Sequence, residues 1–93
     1  MEFDWDVGNE GKNLKHGVAD WEIEEALLDA GLVRVNRRVV AGEERFAVLG
    51  RAEGSGRYLK IIYTIRVRGR TRLVRPISAV DMDPAERALY RRR

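Results

Sequence analysis

Apolar and polar residues alternate along much of the chain, and this period of two predicts a protein built around a sheet. The first alternation covers residues 1–7, where Phe3, Trp5 and Val7 are separated by acidic residues. The strand pattern resumes at residue 32 and continues to residue 79. We therefore predict one N-terminal strand and a longer set of later strands, and we assign Trp5 and Trp21 to the core.

Two helices are predicted between these strand regions. Asn9 suits the cap of a short helix that ends at Gly17, since glycine readily adopts the left-handed backbone. In residues 20–30 the apolar residues recur every three or four positions, which predicts a helix with one face in the core. That face carries Ile23, Ala26, Leu27 and Ala30, and Gly31 ends the helix. The acidic residues face water, and they are Glu22, Glu24, Glu25 and Asp29.

Three or four antiparallel strands are predicted in the second half of the chain. Their patterns cover residues 33–40, 45–51, 58–67 and 71–79, separated by segments with turn residues around 42–44, 53–56 and 68–69. Asn36 marks a turn or a bulge in the first of them. Pro76 has no N–H to donate, so we expect the last strand to lie at an edge or to contain a bulge.

The sequence after the last strand predicts a final helix. Asp83 is a good N-cap, Pro84 fits the first helical position and Glu86 completes a capping box. The predicted order is strand, helix, helix, three or four strands, helix. We classify this as a single α+β domain over residues 1–93, with a twisted, mainly antiparallel sheet and the helices packed on one face.

Composition excludes several kinds of protein. The chain has no cysteine and one histidine, which excludes a thiolate zinc site and a metal site of several imidazoles. No apolar run approaches the roughly 18 residues that a membrane span needs, and no signal peptide is visible, so we expect a cytoplasmic protein without membrane association.

The charge is unevenly distributed. The net charge is +3, and half of the 18 Lys and Arg residues lie from Arg66 onward, whereas the acidic residues concentrate in residues 2–29. Arginine binds phosphate with two hydrogen bonds, so this pattern favours RNA or DNA as a partner. A solvated sheet edge, or a surface for an acidic protein, fits the same charge.

Seven short motifs, in order over nearly the whole chain, resemble the BrnT family of toxins. They are F-x-W-D at Phe3, Trp5 and Asp6; Lys12-Asn13 with Lys15-His16-Gly17-Val18; G-E-E-R-F at 42–46; Gly50-Arg51; Tyr63-Thr64; R-x-I-S-A at 75–79; and a tail of Asp81, Met82, Glu86, Arg87 and Tyr90. Each motif alone is weak, and their order makes the resemblance specific.

The resemblance implies a RelE/ParE-like fold with the order β-α-α-β-β-β(-β)-α. It implies a ribonuclease toxin of a type II toxin–antitoxin pair, whose cleavage of an RNA substrate needs no metal and no cofactor and inhibits growth. It also implies a cognate, BrnA-like antitoxin that binds and neutralises the toxin. The resemblance leaves open whether cleavage depends on ribosomes and whether the toxin forms a homodimer within the complex.

One position departs from the family pattern, which reads I-S-A-R where this chain has Val80. Such an arginine would stabilise charge on the scissile phosphate, and loss of a group of this kind costs about 10²–10³ in rate. Three interpretations follow. The chain is a weakened toxin, it uses another arginine such as Arg75, or it has become a module that binds an antitoxin or nucleic acid.

The candidate catalytic residues are Arg75, His16 and Arg51. His16 is the only side chain that titrates near neutral pH unaided, which suits an acid or base, and a structural role at a helix C-terminus is the alternative. Arg45, Arg51 and Arg75 would form a phosphate patch if they share a face of the sheet. Ion pairs with Glu43, Glu44 or Glu53 are the competing explanation.

The candidate nucleic-acid-binding residues are Lys12, Arg45, Lys60, Arg66, Ser78 and Tyr90. Lys12 precedes His16 by four residues, so one helical face would carry both. Ser78 either binds phosphate or caps the turn before the last helix. Tyr90 either stacks on a base or packs in the core. We assign Glu86 mainly to the capping box.

Overall fold

A computed structural model of the chain describes residues 1–92, so Arg93 lies outside the described part. The elements in chain order are a 3₁₀ helix at Lys12–His16, α1 at Asp20–Leu27, β1 at Val33–Val40, β2 at Glu43–Ala52, β3 at Arg57–Arg68, β4 at Thr71–Asp81 and α2 at Pro84–Arg91. The four strands form one antiparallel sheet in the order β1-β2-β3-β4. The predicted α+β class is confirmed.

The predicted N-terminal strand is reduced to a single bridge on the outer edge of β4. Phe3 pairs in parallel with Val74. The Asp4 N–H donates to the Val74 carbonyl at 2.8 Å, and the Val74 N–H donates to the Glu2 carbonyl at 2.9 Å. Residues 7–11 then turn away from the sheet, which is why the alternation there does not continue the strand.

The first helix has a different cap from the predicted one. Gly11, with φ of 64°, occupies the N-cap position, and Gly17, with φ of 73°, ends the helix as predicted. Asn9 is buried instead. Its side chain accepts a hydrogen bond from the Asp6 N–H and donates to the carbonyls of Asp4 and Pro76. Asn9 therefore ties the N-terminal turn to β4.

Helix α1 is shorter than predicted. It ends at Leu27 with Leu28 as its C-cap, so Ala30 lies beyond the helix and is exposed. Ile23, Ala26 and Leu27 are buried, as the helical spacing predicts.

The first turn of α1 also corrects two assignments. Glu22 is buried, because its carboxylate accepts a hydrogen bond from the Ala19 N–H at 3.0 Å and pairs with Arg57 at 3.4 Å. Trp21, the residue before it, is turned outward and is 50% exposed. The assignment of Trp21 to the core was therefore wrong. Trp5 is half-buried and packs against the core, while its ring N–H donates to Glu24 at 2.7 Å.

The helices lie on opposite faces of the sheet, which corrects the prediction that they share one. Helix α1 packs on Val48, Ile61 and Ala79, and we call this side the α1 face. Tyr90 of α2 packs with Leu49 on the other side, which we call the α2 face. Successive strand residues point to opposite faces, so Val48 and Leu49 separate the two clusters. The chain after β4 returns beneath the sheet, and the buried Tyr90 fills the space beside Leu49.

Gly50 sets the distance between α1 and the sheet. A Cβ atom at this position would lie 2.2 Å from the Ala26 carbonyl oxygen, a separation that backbone atoms cannot accommodate without moving. The absence of a side chain therefore lets the helix backbone rest directly on the middle of β2.

Both predicted irregularities in the strands are confirmed. The register of β4 shifts between Ser78 and Pro76, opposite Ile62 and Tyr63, and β4 is an edge strand. The register of β1 shifts at Asn36, in the pairing with β2. Pro76 thus sits where its missing N–H costs no ladder hydrogen bond.

Candidate functional site

The α2 face is only partly covered by helix α2, and the uncovered part carries three cross-strand rows of side chains. One row runs Arg38, Arg45, Thr64, Arg75; the next runs Asn36, Ala47, Ile62, Ser78; the third contains Leu49, Lys60 and Val80. Residues directly opposite one another have Cβ atoms about 4.5–5.5 Å apart. These rows therefore place several cations around a small apolar strip.

A groove of about 280 Å³ lies over the first strands of this surface. We call it the sheet groove, and its lining includes Asn36, Arg37, Arg38, Arg45, Ala47, Lys60 and Ile62. Ala47 and Ile62 form an apolar floor, and the three arginines and the lysine supply positive charge. A planar, anionic ligand such as a nucleotide matches this combination.

Glu43 holds two of the predicted binding residues in place. One carboxylate oxygen pairs with Arg45 at 3.2 Å, and the other pairs with Arg66 at 3.2 Å. The competing interpretation of Arg45, an ion pair with Glu43, is therefore confirmed. One carboxylate serves two guanidinium groups, so the pair of arginines keeps an excess of positive charge. Exposed pairs of this kind are weak and leave the arginines able to exchange partners.

Lys60 pairs with Glu86 at 3.1 Å, which links the groove to the start of α2. The other oxygen of Glu86 accepts a hydrogen bond from the Asp83 N–H at 3.0 Å, completing the predicted capping box. The sequence predicted this cap but not the partnership with Lys60. A carboxylate and an ammonium group thus stand together beside the groove, which is the pairing that proton transfer requires.

Arg75 lies in the same row as Arg45, but its guanidinium is already engaged. It donates to both oxygens of Asp6 at 3.0 Å and to Asp4 at 3.2 Å, and its side chain is 14% exposed. The hydrogen bonds with Asp6 raise the pKa of Arg75 and, in return, hold the pKa of Asp6 below its usual value. The sequence interpretation named Glu43, Glu44 and Glu53 as competing partners and missed these two aspartates.

His16 and Lys12 lie at the outer edge of β4, away from the groove on the β1 side. Both are exposed, and the side-chain oxygen of the intervening Asn13 accepts a hydrogen bond from the Ala79 N–H at 2.9 Å. The prediction that a spacing of four puts Lys12 and His16 on one face was wrong, because the helix is 3₁₀. With three residues per turn, positions four apart point in different directions.

Arg51 belongs to a different cluster, at the end of the sheet that α2 covers. It shares the α2 face with Arg45 but lies six residues further along β2, about 20 Å away. Its guanidinium is 5.8 Å from the ring centre of Tyr58, beside Arg87 at 4.4 Å and Arg91 at 6.0 Å. The structure therefore separates Arg51 from the sheet groove.

Tyr90 completes this cluster from the core side. It is buried, meets the Tyr58 ring edge-on at 5.6 Å and donates its hydroxyl to Asp29. The core interpretation of Tyr90 is confirmed, and its ring has no open face for a base. The sequence interpretation did not name Tyr58 as a candidate. The spacing of Arg87 and Arg91, one turn apart on α2, is the signal that indicates a shared neighbour for the two side chains.

The third row contains the position that departs from the family pattern. Val80 is the cross-strand neighbour of Lys60 and is half-buried, and Ser78 lies two residues before it inside β4. Ser78 does not cap α2, since Asp83 does so. An arginine at position 80 would place its charge next to Lys60.

The described residues were also considered for a metal site and for a membrane-spanning helix. Within residues 1–92, no group of three or more His, Asp or Glu side chains could hold a metal ion. None of the described helices is both long and apolar enough to cross a membrane.

Comparison with known families places the chain. Residues 5–86 match the model of the family described as ribonuclease toxin, BrnT, of type II toxin-antitoxin system. No curated protein matches the chain. The matched range contains the 3₁₀ helix and the whole sheet groove, and it ends at Glu86, the partner of Lys60.

Proposed function

The chain belongs to the BrnT family of ribonuclease toxins of type II toxin–antitoxin systems, and we propose that it cleaves RNA in the sheet groove without a metal ion. The observation that carries this proposal is the Lys60–Glu86 pair beside Arg45. It combines a proton acceptor, a proton donor and phosphate-binding cations on one open surface.

In the proposed reaction the ribose 2′-hydroxyl attacks the neighbouring phosphorus. The Glu86 oxygen that pairs with Lys60 accepts the hydroxyl proton, the new O2′–P bond forms and the P–O5′ bond breaks. Lys60 gives a proton to the departing O5′, and transfer from Glu86 to Lys60 restores both groups. The products are a 2′,3′-cyclic phosphate and a 5′-hydroxyl end. Arg45 and Arg38 stabilise the charge that develops on the phosphate oxygens.

The groove also explains how the other predicted residues could take part. Arg66 and Ser78 lie next to it on the same face and would extend the contact with the RNA backbone. Arg75 fixes the strand that carries Ser78, which makes it a positioning residue. A catalytic role for His16 requires RNA that reaches from the groove across β4 to its outer edge.

The wider biology belongs to the same proposal. We infer a RelE/ParE-like fold from the family and from the open antiparallel sheet between two helices. We also infer that RNA cleavage in the cytoplasm inhibits growth, and that a BrnA-like antitoxin neutralises the toxin by binding it.

The test is cleavage of a fluorescently labelled RNA oligonucleotide by the purified protein in excess EDTA. Arg45→Ala and Lys60→Ala should each lower the rate about 10²–10³-fold. Glu86→Gln should do the same while keeping α2 folded, because glutamine also serves in a capping box. Arg70→Ala, an exposed arginine in the turn after β3, is the matched control and should cleave as the unchanged protein does.

Intact RNA with the unchanged protein, or normal rates with both Arg45→Ala and Lys60→Ala, would contradict the proposal. The sequence-predicted catalytic residues are tested in the same assay. A larger loss with His16→Ala or Arg51→Ala than with Lys60→Ala would move the reaction centre to the β4 edge or to the Tyr58 cluster.

Val80 supports a second candidate function, a weakened or inactive toxin that acts as a binding module. Position 80 faces the same side as Lys60 and contributes no charge there. If Val80→Arg cleaves about 10²–10³ times faster than the unchanged protein, and only the variant arrests growth on expression, the chain is such a module. Equal rates and growth arrest by both proteins would favour the active toxin.

A further inference from the structure

The outer edge of β1 is uncovered. In the sheet order β1 pairs with β2 alone, and the six interior residues of Val33–Val40 are all exposed. Among residues 1–92 no other segment pairs with this edge. Unpaired backbone N–H and C=O groups on an edge strand are a template for another strand.

The side chains of β1 combine apolar surface with positive charge. Val35 is 40% exposed and Val39 is 66% exposed. Arg34, Arg37 and Arg38 are exposed as well. Among residues 1–92 these three arginines make one ion pair, between Arg37 and Glu44 at 3.0 Å. Both partners of that pair are open to solvent, so it is weak. The edge therefore keeps an excess of positive charge beside two exposed valines.

These properties distinguish between possible occupants of the edge. A second copy of the chain would bring three more arginines against the first three, and like charges directly opposite one another destabilise strand pairing. RNA has no peptide groups to continue the ladder and would not cover the valines. An extended peptide with carboxylates and apolar side chains satisfies the backbone, the arginines and the valines together.

We propose that the edge of β1 binds an extended, acidic segment of the antitoxin, which adds to the sheet as a fifth strand. The proposal rests on the proposed function, because that function supplies the antitoxin. The bulge at Asn36 interrupts the ladder, so pairing takes place along residues 37–40. The Arg37 N–H now donates to the Asn36 side chain at 2.8 Å, and a carbonyl of the incoming strand would replace that acceptor.

The position of this edge links binding to inhibition. Asn36 and Arg38 belong both to β1 and to the sheet groove. Alternate side chains of a strand added to β1 would point over the groove, which brings acidic groups toward Arg38 and Arg45. A bound antitoxin segment would thus compete with RNA for the same cations.

The test uses a fluorescent ten-residue peptide in which valine and glutamate alternate, and a counterpart with lysine in place of glutamate. Binding is followed by fluorescence anisotropy, and the contact is located by amide hydrogen exchange. The edge variant is Arg34→Glu with Arg37→Glu, which changes two exposed arginines of β1, of which Arg37 also lines the groove. Arg70→Glu with Arg72→Glu is the control, since it makes the same charge change at two exposed positions, one in the β3–β4 turn and one at the start of β4.

We expect the glutamate peptide to bind and to protect residues 37–40, and the lysine peptide not to bind. The edge variant should lose about tenfold or more in affinity, because two attractions become repulsions, and the control should change less than about threefold.

The inference is wrong if the glutamate peptide does not bind, if it protects another segment, or if the edge and control variants lose affinity equally. It is also wrong if the protein dimerises through this edge as its concentration rises, or if RNA protects residues 37–40. If the unchanged protein binds the peptide but does not cleave RNA, the result contradicts the proposed function and leaves this inference standing.

Discussion

The two edges of the sheet are treated in opposite ways. The outer edge of β4 is covered by residues 2–17, which contribute a parallel bridge at Phe3, the buried amide of Asn9 and the side-chain oxygen of Asn13. The outer edge of β1 is bare and lined with arginine. A strand edge can be protected by pairing or by charge, and this chain uses one method on each side.

The comparison also shows where two of the predicted catalytic residues lie, Arg75 and His16. Arg75 and His16 were selected from the sequence because each is basic and lies in a family motif. In the fold Arg75 donates to Asp4 of the segment that covers β4, and Asn13, three residues before His16, accepts a hydrogen bond from the Ala79 N–H of the edge strand. The bare edge, by contrast, adjoins the groove that carries Arg45 and Lys60.

The largest effect is expected where the cover of β4 depends on one buried side chain. Asn9→Ala removes the hydrogen bonds to the Asp6 N–H and to the Asp4 and Pro76 carbonyls. Leaving such buried groups without partners should lower the free energy of unfolding by about 2–4 kcal/mol. Urea denaturation measures this, and a loss below 0.5 kcal/mol (about the effect of an ordinary surface change) would show that the cover does not stabilise the sheet.

A smaller loss is expected when the cover keeps its backbone contacts but loses its ion pairs. Arg75→Ala leaves Asp4 and Asp6 without their main partner and should cost about 2 kcal/mol in the free energy of unfolding, since Arg75 is largely buried. Arg68→Ala is the matched control. Arg68 pairs with the same Asp4 from an exposed position, so its removal should cost less than about 1 kcal/mol. Equal losses in denaturation experiments would contradict this ranking.

Acid should weaken the covered edge selectively. The folded pKa of Asp6 is lowered from 3.8, mainly by the hydrogen bond from Arg75. Its contribution to stability is therefore complete above the unfolded pKa and is lost as the pH falls from about 4 through the folded pKa. The difference in urea midpoint between the unchanged protein and Asp6→Asn should shrink over that interval. A constant difference would exclude a role for Asp6 ionisation.

The smallest effect is expected at the bare edge. Arg34→Glu with Arg37→Glu should change the free energy of unfolding by no more than about 0.5 kcal/mol. Both side chains are exposed, and within residues 1–92 only Arg37 makes an ion pair. The measurement is again urea denaturation, beside Arg70→Glu with Arg72→Glu. If the free energy of unfolding falls as much as with Arg75→Ala, the side chains at both edges stabilise the fold, and the contrast between the edges is wrong.

Much of the fold followed from local patterns that are decided by near neighbours. The alternation in β3, the cap at Asp83 and Glu86, the left-handed Gly17 and the edge position of Pro76 depend on a few consecutive residues, and all are confirmed. The face of the sheet on which α2 packs depends on the direction in which the chain leaves β4 and on where the Tyr90 side chain can be buried. No short pattern carries that information.

The site was less predictable because ion-pair partners come from distant parts of the chain. Glu86 was found as a cap but not as the partner of Lys60, which is 26 residues earlier in the sequence. Trp21 was assigned to the core by its type, whereas the neighbouring Glu22 carboxylate needed the inner position to meet Ala19 and Arg57. The spacing of residues along the chain does not show which of two neighbouring side chains in one helical turn will be buried.

The cover of β4 has a consequence for the order in which the protein folds. Its side-chain hydrogen bonds join residues that are 66 to 71 positions apart. Closing so long a loop has an entropic cost that must be met before these contacts stabilise anything, and contacts of this range slow folding. During synthesis the first 17 residues must wait until β4 leaves the ribosome. The hairpins of β2, β3 and β4 can therefore assemble before their edge is closed, and the N-terminal cover is added last.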